Sequence, residues 1–403
     1  MPGIVIVGAG QAGASLAAKL RMSGYTGEVT LIGEEHVPPY QRPPLSKKYL
    51  LGEMELERLY LRPESFYAEN DITLRTDCRV DSIDAADRKI VLGAETLEYE
   101  HLALTTGSVP RRLPPAIGGL LEGVHVVRTL RDIDRLAPEM VAGKRVLIVG
   151  GGYIGLEAAA VASKLGLDVV LVEMAERILQ RVAAPETSDY FRTLHRSHGV
   201  DIREATGLER LTGEGRVSGA VLSDETEIAV DLVIVGVGIS PATELAEAAG
   251  LTLDNGIAVD AMGRTSDPHI WSAGDCASFP WRGQRIRLES VQNAIDQAEL
   301  VASNMLGAEA EYDPKIWFWS DQYDVKLQIA GLNTGFDRIV VRPGEKEGSA
   351  SHWYFAGNAL LAVDAMNDPR AYMVGKRLID GGRSADPAAL ADPATDLKAL
   401  MRG

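Results

Sequence analysis

Cysteine is nearly missing. The 403 residues hold two, Cys78 and Cys276, far apart and in no C-x-x-C pair. That excludes a disulfide framework and a cysteine-based metal or iron–sulfur centre within the chain, and it fits a reducing cytoplasm. Surplus positive charge is missing too. The formal net charge is −16, a field that repels phosphate backbones and argues against general nucleic-acid binding. No apolar run reaches the roughly 18–20 residues of a membrane span without a charge or a glycine cluster. The N-terminus enters a strand with neither a basic n-region nor a cleavage site, so no leader is expected. Histidine clusters are equally scarce. Of seven histidines, only His195 and His198 stand at helical spacing, in Leu194-His-Arg-Ser-His-Gly199, and the pair reads as a solvated helix end, not a metal site. What remains is an ordinary 46% hydrophobic fraction and a length that supports two or three domains, each with its own core.

Glycine, by contrast, is placed with purpose. Ile4-Val-Ile-Val7 runs into Gly8-Ala-Gly10-Gln-Ala-Gly13, and Val146-Leu-Ile-Val149 runs into Gly150-Gly-Gly152-Tyr-Ile-Gly155. Each is a buried strand turning into a helix. The first glycine of such a turn permits the tight bend, the second lets backbone approach a pyrophosphate, and the third lets helix pack on strand. The helix N-terminus then offers free N–H groups and partial positive charge to phosphates. A second strand follows each helix: Val29–Ile32 with Glu34 beyond Gly33, and Val169–Val172 with Glu173. The βαβ unit is therefore duplicated, about 140 residues apart. Two such units in one chain imply two nucleotide cofactors and point to an electron-transfer flavoenzyme.

The acidic residues discriminate between ligands. Glu34 and Glu173 are placed to accept hydrogen bonds from an adenosine ribose diol, with Glu35 a solvated neighbour. A 2′-phosphate at Glu173 would meet an unpaired carboxylate, which disfavours NADPH. Arg177 and Arg181, close by in sequence, leave a phosphate-accepting alternative open.

Val109-Pro-Arg-Arg-Leu-Pro-Pro-Ala-Ile-Gly-Gly119 reads as a domain linker, and Leu232–Ile239 closes the middle region. From about Ile316 the periods become short and strand-like, as in Trp317-Phe-Trp319, Leu327–Ala330 and Ile339–Val341. The last stretch, with Asp386-Pro and Asp392-Pro, reads as a loose tail ending in one short helix.

At this point the chain resembles a family. Gly8–Gly13 with Glu34, Thr105-Thr-Gly107, Gly150–Gly155, Val235-Gly-Val-Gly-Ile-Ser-Pro241 and Gly274-Asp-Cys-Ala277 occur in the order seen in pyridine-nucleotide flavin reductases of the glutathione-reductase fold. Gln41-Arg-Pro-Pro-Leu-Ser-Lys47, Leu59-Tyr-Leu-Arg62, Leu288-Glu-Ser-Val-Gln-Asn293 and Trp317-Phe-Trp-Ser-Asp-Gln-Tyr323 narrow the likeness to NADH-dependent ferredoxin reductases of bacterial oxygenase systems, the putidaredoxin reductase type. The resemblance spans essentially the whole chain. It implies an α/β fold with two Rossmann-like dinucleotide-binding domains and a C-terminal α+β interface domain. The implied boundaries are 1–110 with 243–315 for FAD, 111–242 for NAD, and 316–403 for the last domain.

The resemblance also implies ligand contacts. For FAD these are Gly8, Gly10, Ala12, Gly13, Glu34, Arg42, Lys47, Val80, Arg128, Gly274, Asp275, Val291 and Trp319. For NADH they are Gly152, Tyr153, Ile154, Glu173, Gly238 and Glu289. Asp275 has a physical reason of its own: a carboxylate after a glycine at a strand end accepts a hydroxyl hydrogen bond from the flavin ribityl chain, and without a partner its burial would be costly. The implied partner is a separate [2Fe–2S] ferredoxin feeding a cytochrome P-450 or Rieske oxygenase. The implied protein is cytoplasmic, a monomer or weak dimer, and binds no metal, nucleic acid or membrane.

Disulfide reductases of this fold carry a C-x-x-x-x-C pair shortly after the first βαβ unit. The corresponding stretch here, Pro39–Lys47, has no cysteine, so electrons must leave the flavin directly. Cys276 reads as a packed small residue; Cys78, in a polar strand-like segment, has no evident role. Lys47, behind Pro43-Pro44, and Glu157, a charge on an otherwise apolar helix that wants a partner, are the catalytic candidates. In resembling proteins the two positions meet near the flavin N5, where a lysine stabilises the reduced anion. Arg62, Arg282, Arg285 and Arg287 are candidates for a basic docking patch, and Trp317 and Trp319 for the exit side of the flavin. Two other classes stay open: an NADH oxidase or peroxidase, and a non-catalytic redox-signalling flavoprotein.

Overall fold

The run Gly3–Val7 is buried along its whole length, as a central strand of a parallel sheet covered on both faces must be. It pairs in parallel with Val29–Ile32 on one side and Glu95–Leu104 on the other. Ile72–Arg75 extends the first edge and Ile270–Ser272 joins Glu95–Leu104, both in parallel, while Lys89–Leu92 adds an antiparallel strand. The helices Gln11–Met22 and Val291–Met305 pack on each other over this sheet, with Leu16, Leu20, Ala298, Val301 and Ala302 in their shared core. Burial of each leucine contributes about 1.5–3 kcal/mol.

This computed structural model describes Pro2–Met401, and its chain divides into two compact units. The first comprises Met1–Arg42, Met54–Val109 and Ile239–Pro314; the second comprises Pro43–Glu53, Pro110–Gly238 and Lys315–Gly403. The short segment Pro43–Glu53 thus packs with the second unit, whereas the sequence reading runs the first domain unbroken to residue 110. The cause is local: Ser46 and Lys47 bond to Glu157.

The second unit repeats the plan of the first. Arg145–Val149 lies between Asp168–Val172 and Leu232–Val235, all parallel, and Tyr153–Lys164 is the helix behind the turn. A five-stranded sheet of the same unit is antiparallel, in the order Trp317–Gln322, Val325–Gly331, Ala359–Met366, Ala350–Ala356, Arg338–Pro343. The helix Pro369–Asp380 covers it through Ala371, Val374 and Leu378.

Two local readings need correction. The tail is tied down: the Arg342 guanidinium donates to the carbonyls of Leu390, Asp392, Pro393 and Thr395, and Leu390 and Leu397 are buried. Asp386 caps the short helix Pro387–Ala391 by accepting from the Ala388 N–H. Cys78 is not in a strand. Ile72–Arg75 ends before it, and Asp77, at φ 51°, turns the chain away.

Candidate active site

Each glycine turn divides its labour in the way a pyrophosphate cradle requires. Gly8 has φ +115°, and a Cβ there would stand 2.2 Å from the Thr105 carbonyl oxygen. A Cβ on Gly13 would stand 2.0 Å from the Gly8 oxygen, whereas one on Gly10 meets nothing within 4 Å. The second turn matches: a Cβ on Gly150, at φ +108°, would stand 2.5 Å from the Gly236 oxygen, one on Gly155 would stand 2.0 Å from the Gly150 oxygen, and one on Gly152 meets nothing within 4 Å. The outer glycines are required by packing, and the middle one leaves room for a ligand. Gly10 and Gly152 are also the helix N-caps, and neither helix start is capped by a side chain, so its N–H groups point at that room. These features fit a dinucleotide at both turns.

Glu173 lies at the second turn, half-buried, with Oε2 accepting from the Gly151 N–H at 2.7 Å and Oε1 from the Ala175 N–H at 2.8 Å. A carboxylate has about four acceptor sites, so lone pairs remain for a ribose diol. At the first turn Glu34 is exposed and pairs with Arg79 at 3.0 Å. Its neighbour Glu35 is not simply solvated, as the sequence suggests. Its Oε1 is 2.7 Å from Arg42 Nη2, and its Oε2 accepts from the Tyr40 hydroxyl at 2.6 Å. Arg42 is thereby oriented by a carboxylate seven residues before it.

The other first-unit candidates have these surroundings. Asp275 accepts from the Ser108 hydroxyl at 2.9 Å. Gly274, at φ +84°, packs so closely on Ala12 that a Cβ would stand 3.0 Å from the alanine Cβ; both positions must be small. Val80 is buried, and Val291 opens its helix behind the Ser290 cap. Glu289 pairs with Arg287 at 2.6 Å. In the second unit Arg128 follows the strand Val124–Val126, Gly238 has φ +99° and accepts from the Arg111 N–H, and Ile154 is 44% exposed at the helix start. The Tyr153 hydroxyl is buried without a hydrogen-bond partner, and burial pushes its pKa well up, with Asp364 and Tyr354 adding. Trp319 stacks on Trp317 at 5.4 Å between centroids.

The second unit brings Lys47 and Glu157 together. Lys47 Nζ is 3.0 Å from Glu157 Oε1. Glu157 is only 4% exposed, on a helix whose neighbours Leu156 and Ala158–Ala160 are buried. Two hydroxyls complete its shell: Ser46 donates to Oε2 and Ser320 to Oε1, each at 2.7 Å. Three donors offset the desolvation of the carboxylate, which one lysine alone would not. Asp321 Oδ2 lies 3.8 Å from the same ammonium. Ser46 and Ser320 escape sequence reasoning, although both lie in quoted strings, because an isolated hydroxyl has no pattern. The Lys47 side chain is 16% exposed, and its ammonium is a fixed positive charge suited to stabilising negative charge that develops beside it.

The histidine pair and the arginines depart from their sequence reading. His195 is fully buried, 2.8 Å from Gln322 Oε1, and burial pulls its pKa down to about 4; only His198 is a solvated helix end, stacked on Tyr323 at 3.7 Å. The basic patch shrinks. Arg285 donates to the Val259 and Ser278 carbonyls, and Arg287 to the Asp275 carbonyl and Glu289, so both serve the fold. Arg62 lies over Phe66 and Arg282 over Trp281. Cys276 is buried, with Sγ 3.5 Å from the Leu104 carbonyl oxygen. Among the described residues no His, Cys, Asp and Glu cluster could hold a metal ion, and no helix is long and apolar enough to cross a membrane.

Comparison with known proteins gives the chain its family. The pyridine nucleotide-disulphide oxidoreductase family matches residues 2–298, and the reductase C-terminal family matches 317–401. A ferredoxin–NAD(P)(+) reductase from Sphingomonas sp is 44% identical, over 99% of this chain and 97% of its own. Putidaredoxin reductase from Pseudomonas putida is 40% identical, over 99% and 96%. The solved covalent complex of putidaredoxin reductase with putidaredoxin superposes with a TM-score of 0.96 at 39% identity, covering 100% of this chain and 98% of that one. With two dinucleotide cradles and a likeness that runs its full length, the chain belongs to the pyridine nucleotide-disulphide oxidoreductases, among the ferredoxin reductases of the putidaredoxin reductase type.

Proposed function

We propose that this chain is an FAD-dependent reductase that takes electrons from NADH and passes them to a separate [2Fe–2S] ferredoxin serving a cytochrome P-450 or Rieske oxygenase. The observation that carries the reading is the pair of open glycine cradles in a chain whose Pro39–Lys47 stretch has no cysteine. Two nucleotides are accommodated, and no thiol relay stands next to the first. When bound, FAD converts a two-electron hydride donor into a source of single electrons.

The residues divide this work. In the first unit, the Gly8–Gly13 turn takes the FAD pyrophosphate, with Ala12, Glu34, Arg42, Val80, Gly274, Asp275 and Val291 around it; Lys47, Arg128 and Trp319 complete the set. In the second, Gly152, Tyr153, Ile154, Glu173 and Gly238, with Glu289, take NADH. NADH is preferred because Glu173 keeps free acceptor sites for a diol and repels a 2′-phosphate. Lys47, held by Glu157, stabilises the negative charge of the reduced cofactor. Residues 1–110 with 243–315, apart from the Pro43–Glu53 segment, form the FAD domain, 111–242 the NAD domain and 316–403 the third domain. Two free thiols suit a cytoplasmic protein, monomeric or weakly dimeric.

The test is direct. The purified protein is yellow, carries one FAD per chain, and is bleached anaerobically by NADH. A folded, colourless protein that takes up no FAD would sink the proposal.

A further inference from the structure

Glu157 sets the polarity of a buried chain of hydrogen bonds. Ser320 Oγ has one hydrogen and donates it to Glu157 Oε1 at 2.7 Å. Towards Gln322, 3.1 Å away, it therefore only accepts. The Gln322 amide nitrogen must face Ser320, which turns its oxygen to His195 Nε2 at 2.8 Å. An amide oxygen only accepts, so His195 Nε2 carries the hydrogen and Nδ1 is left to accept from the Tyr323 hydroxyl at 3.3 Å. Glu157, Ser320, Gln322 and His195 are each at most 4% exposed, so water does not compete along the chain. Ser320 and Gln322 stand two apart on the strand Trp317–Gln322 and so share a face. His195 comes from the helix Pro185–Ser197. Burial, which depresses its pKa to about 4, keeps the imidazole neutral at physiological pH.

We propose that His195 and Gln322 are positioning residues: they hold Ser320 as a donor to Glu157 and thereby fix where the Lys47 ammonium sits. This rests on the assignment of Lys47 and Glu157 to flavin reduction. Without the His195 N–H, the Gln322 amide is free to rotate and offer its oxygen to Ser320. Two acceptors then compete for the one serine hydrogen, the bond to Glu157 Oε1 weakens, and the carboxylate is held less firmly in one orientation.

The test uses FAD-loaded enzyme in anaerobic stopped-flow reduction by NADH, together with the flavin midpoint potential. His195→Leu is expected to lower the limiting reduction rate at least about threefold and to shift the potential, with NADH affinity unchanged. His195→Gln, whose amide N–H stands in for Nε2–H, restores the rate to within about twofold. In a Ser320→Ala background, His195→Leu has no further effect, because the chain is already cut. Additive losses, or a His195→Leu enzyme with the wild-type rate and potential, would overturn the proposal. Glu157→Gln serves as the control for the underlying assignment: if it too reduces at the wild-type rate, that assignment has failed and not merely the positioning. Nitrogen-15 NMR of the wild-type protein reads the tautomer without any variant. An Nε2–H imidazole that does not titrate above about pH 5 is expected, and an Nδ1–H imidazole would overturn the polarity.

Discussion

Lys47 Nζ lies 3.0 Å from Glu157 Oε1, on a carboxylate that also takes the Ser46 and Ser320 hydroxyls. Removing its charge while keeping its shape separates chemistry from folding. Glu157→Gln is expected to keep its FAD, since the amide oxygen still accepts, but to slow flavin reduction on the order of ten- to a hundredfold as the ammonium loses its fixed counter-charge. Stopped-flow reduction at the wild-type rate would remove the pair from the mechanism.

Glu173 is anchored by the N–H groups of Gly151 and Ala175, so it cannot swing away from an added phosphate. Catalytic efficiency with NADH should exceed that with NADPH. Glu173→Ala should narrow the gap by about 1–3 kcal/mol, the value of one charged hydrogen-bonding group. Equal efficiencies in the wild type would contradict this.

Arg342 binds four carbonyls of the final segment. Arg342→Met keeps the apolar stem and loses every one of those bonds, with an expected cost of about 2–3 kcal/mol. Limited proteolysis should then cut within residues 386–401 before the rest of the chain. A variant as resistant and as stable as wild type would show that the buried Leu390 and Leu397 hold the segment unaided.

Acid should destabilise the fold through two histidines. His195 and His352 are buried, and burial depresses each to about 4, below the unfolded value near 6.5. Their stability is present above about pH 6.5 and is lost as pH falls through about 4, up to roughly 3 kcal/mol each. Asp364 opposes them. Also buried, it accepts from Thr187 and Tyr354, yet burial raises it to about 6. A raised carboxyl contributes stability below its unfolded pKa and loses it as pH rises through 6. Two histidines outweigh one carboxyl, so denaturant midpoints should fall between pH 6.5 and 4, and Asp364→Asn should steepen that fall. A flat profile would contradict the assignment.

The two cradles were legible in the sequence because strand, turn and helix are contiguous there, and each glycine answers to a steric need a few residues away. Lys47 and Glu157 were legible for a different reason: a charge on an apolar helix advertises a missing partner. Ser46 and Ser320 were not, since a hydroxyl carries no periodic signature. His195 misled because its sequence neighbours are basic and polar, while its hydrogen-bond partner, Gln322, lies 127 residues on. Arg285 and Arg287 misled likewise. Clustered arginines look like a surface patch, and only the folded chain reveals which carbonyls they serve. The tail read as loose because the residue that fastens it, Arg342, stands about 50 positions earlier in a strand with no local sign of that role.

The measurement closest to the central claim is anaerobic NADH oxidation with a [2Fe–2S] ferredoxin as sole acceptor, in the wild type and in a Cys78→Ser/Cys276→Ser variant. Cys276 is packed against carbonyls, and Cys78 and Cys276 are two lone thiols in no paired motif, so no thiol relay is expected. The expected result is reduction of two ferredoxins per NADH, at the same rate in both proteins. Loss of turnover in a thiol-free variant that still holds FAD, or an NADH-reduced enzyme that passes no electrons to the ferredoxin, would contradict the account.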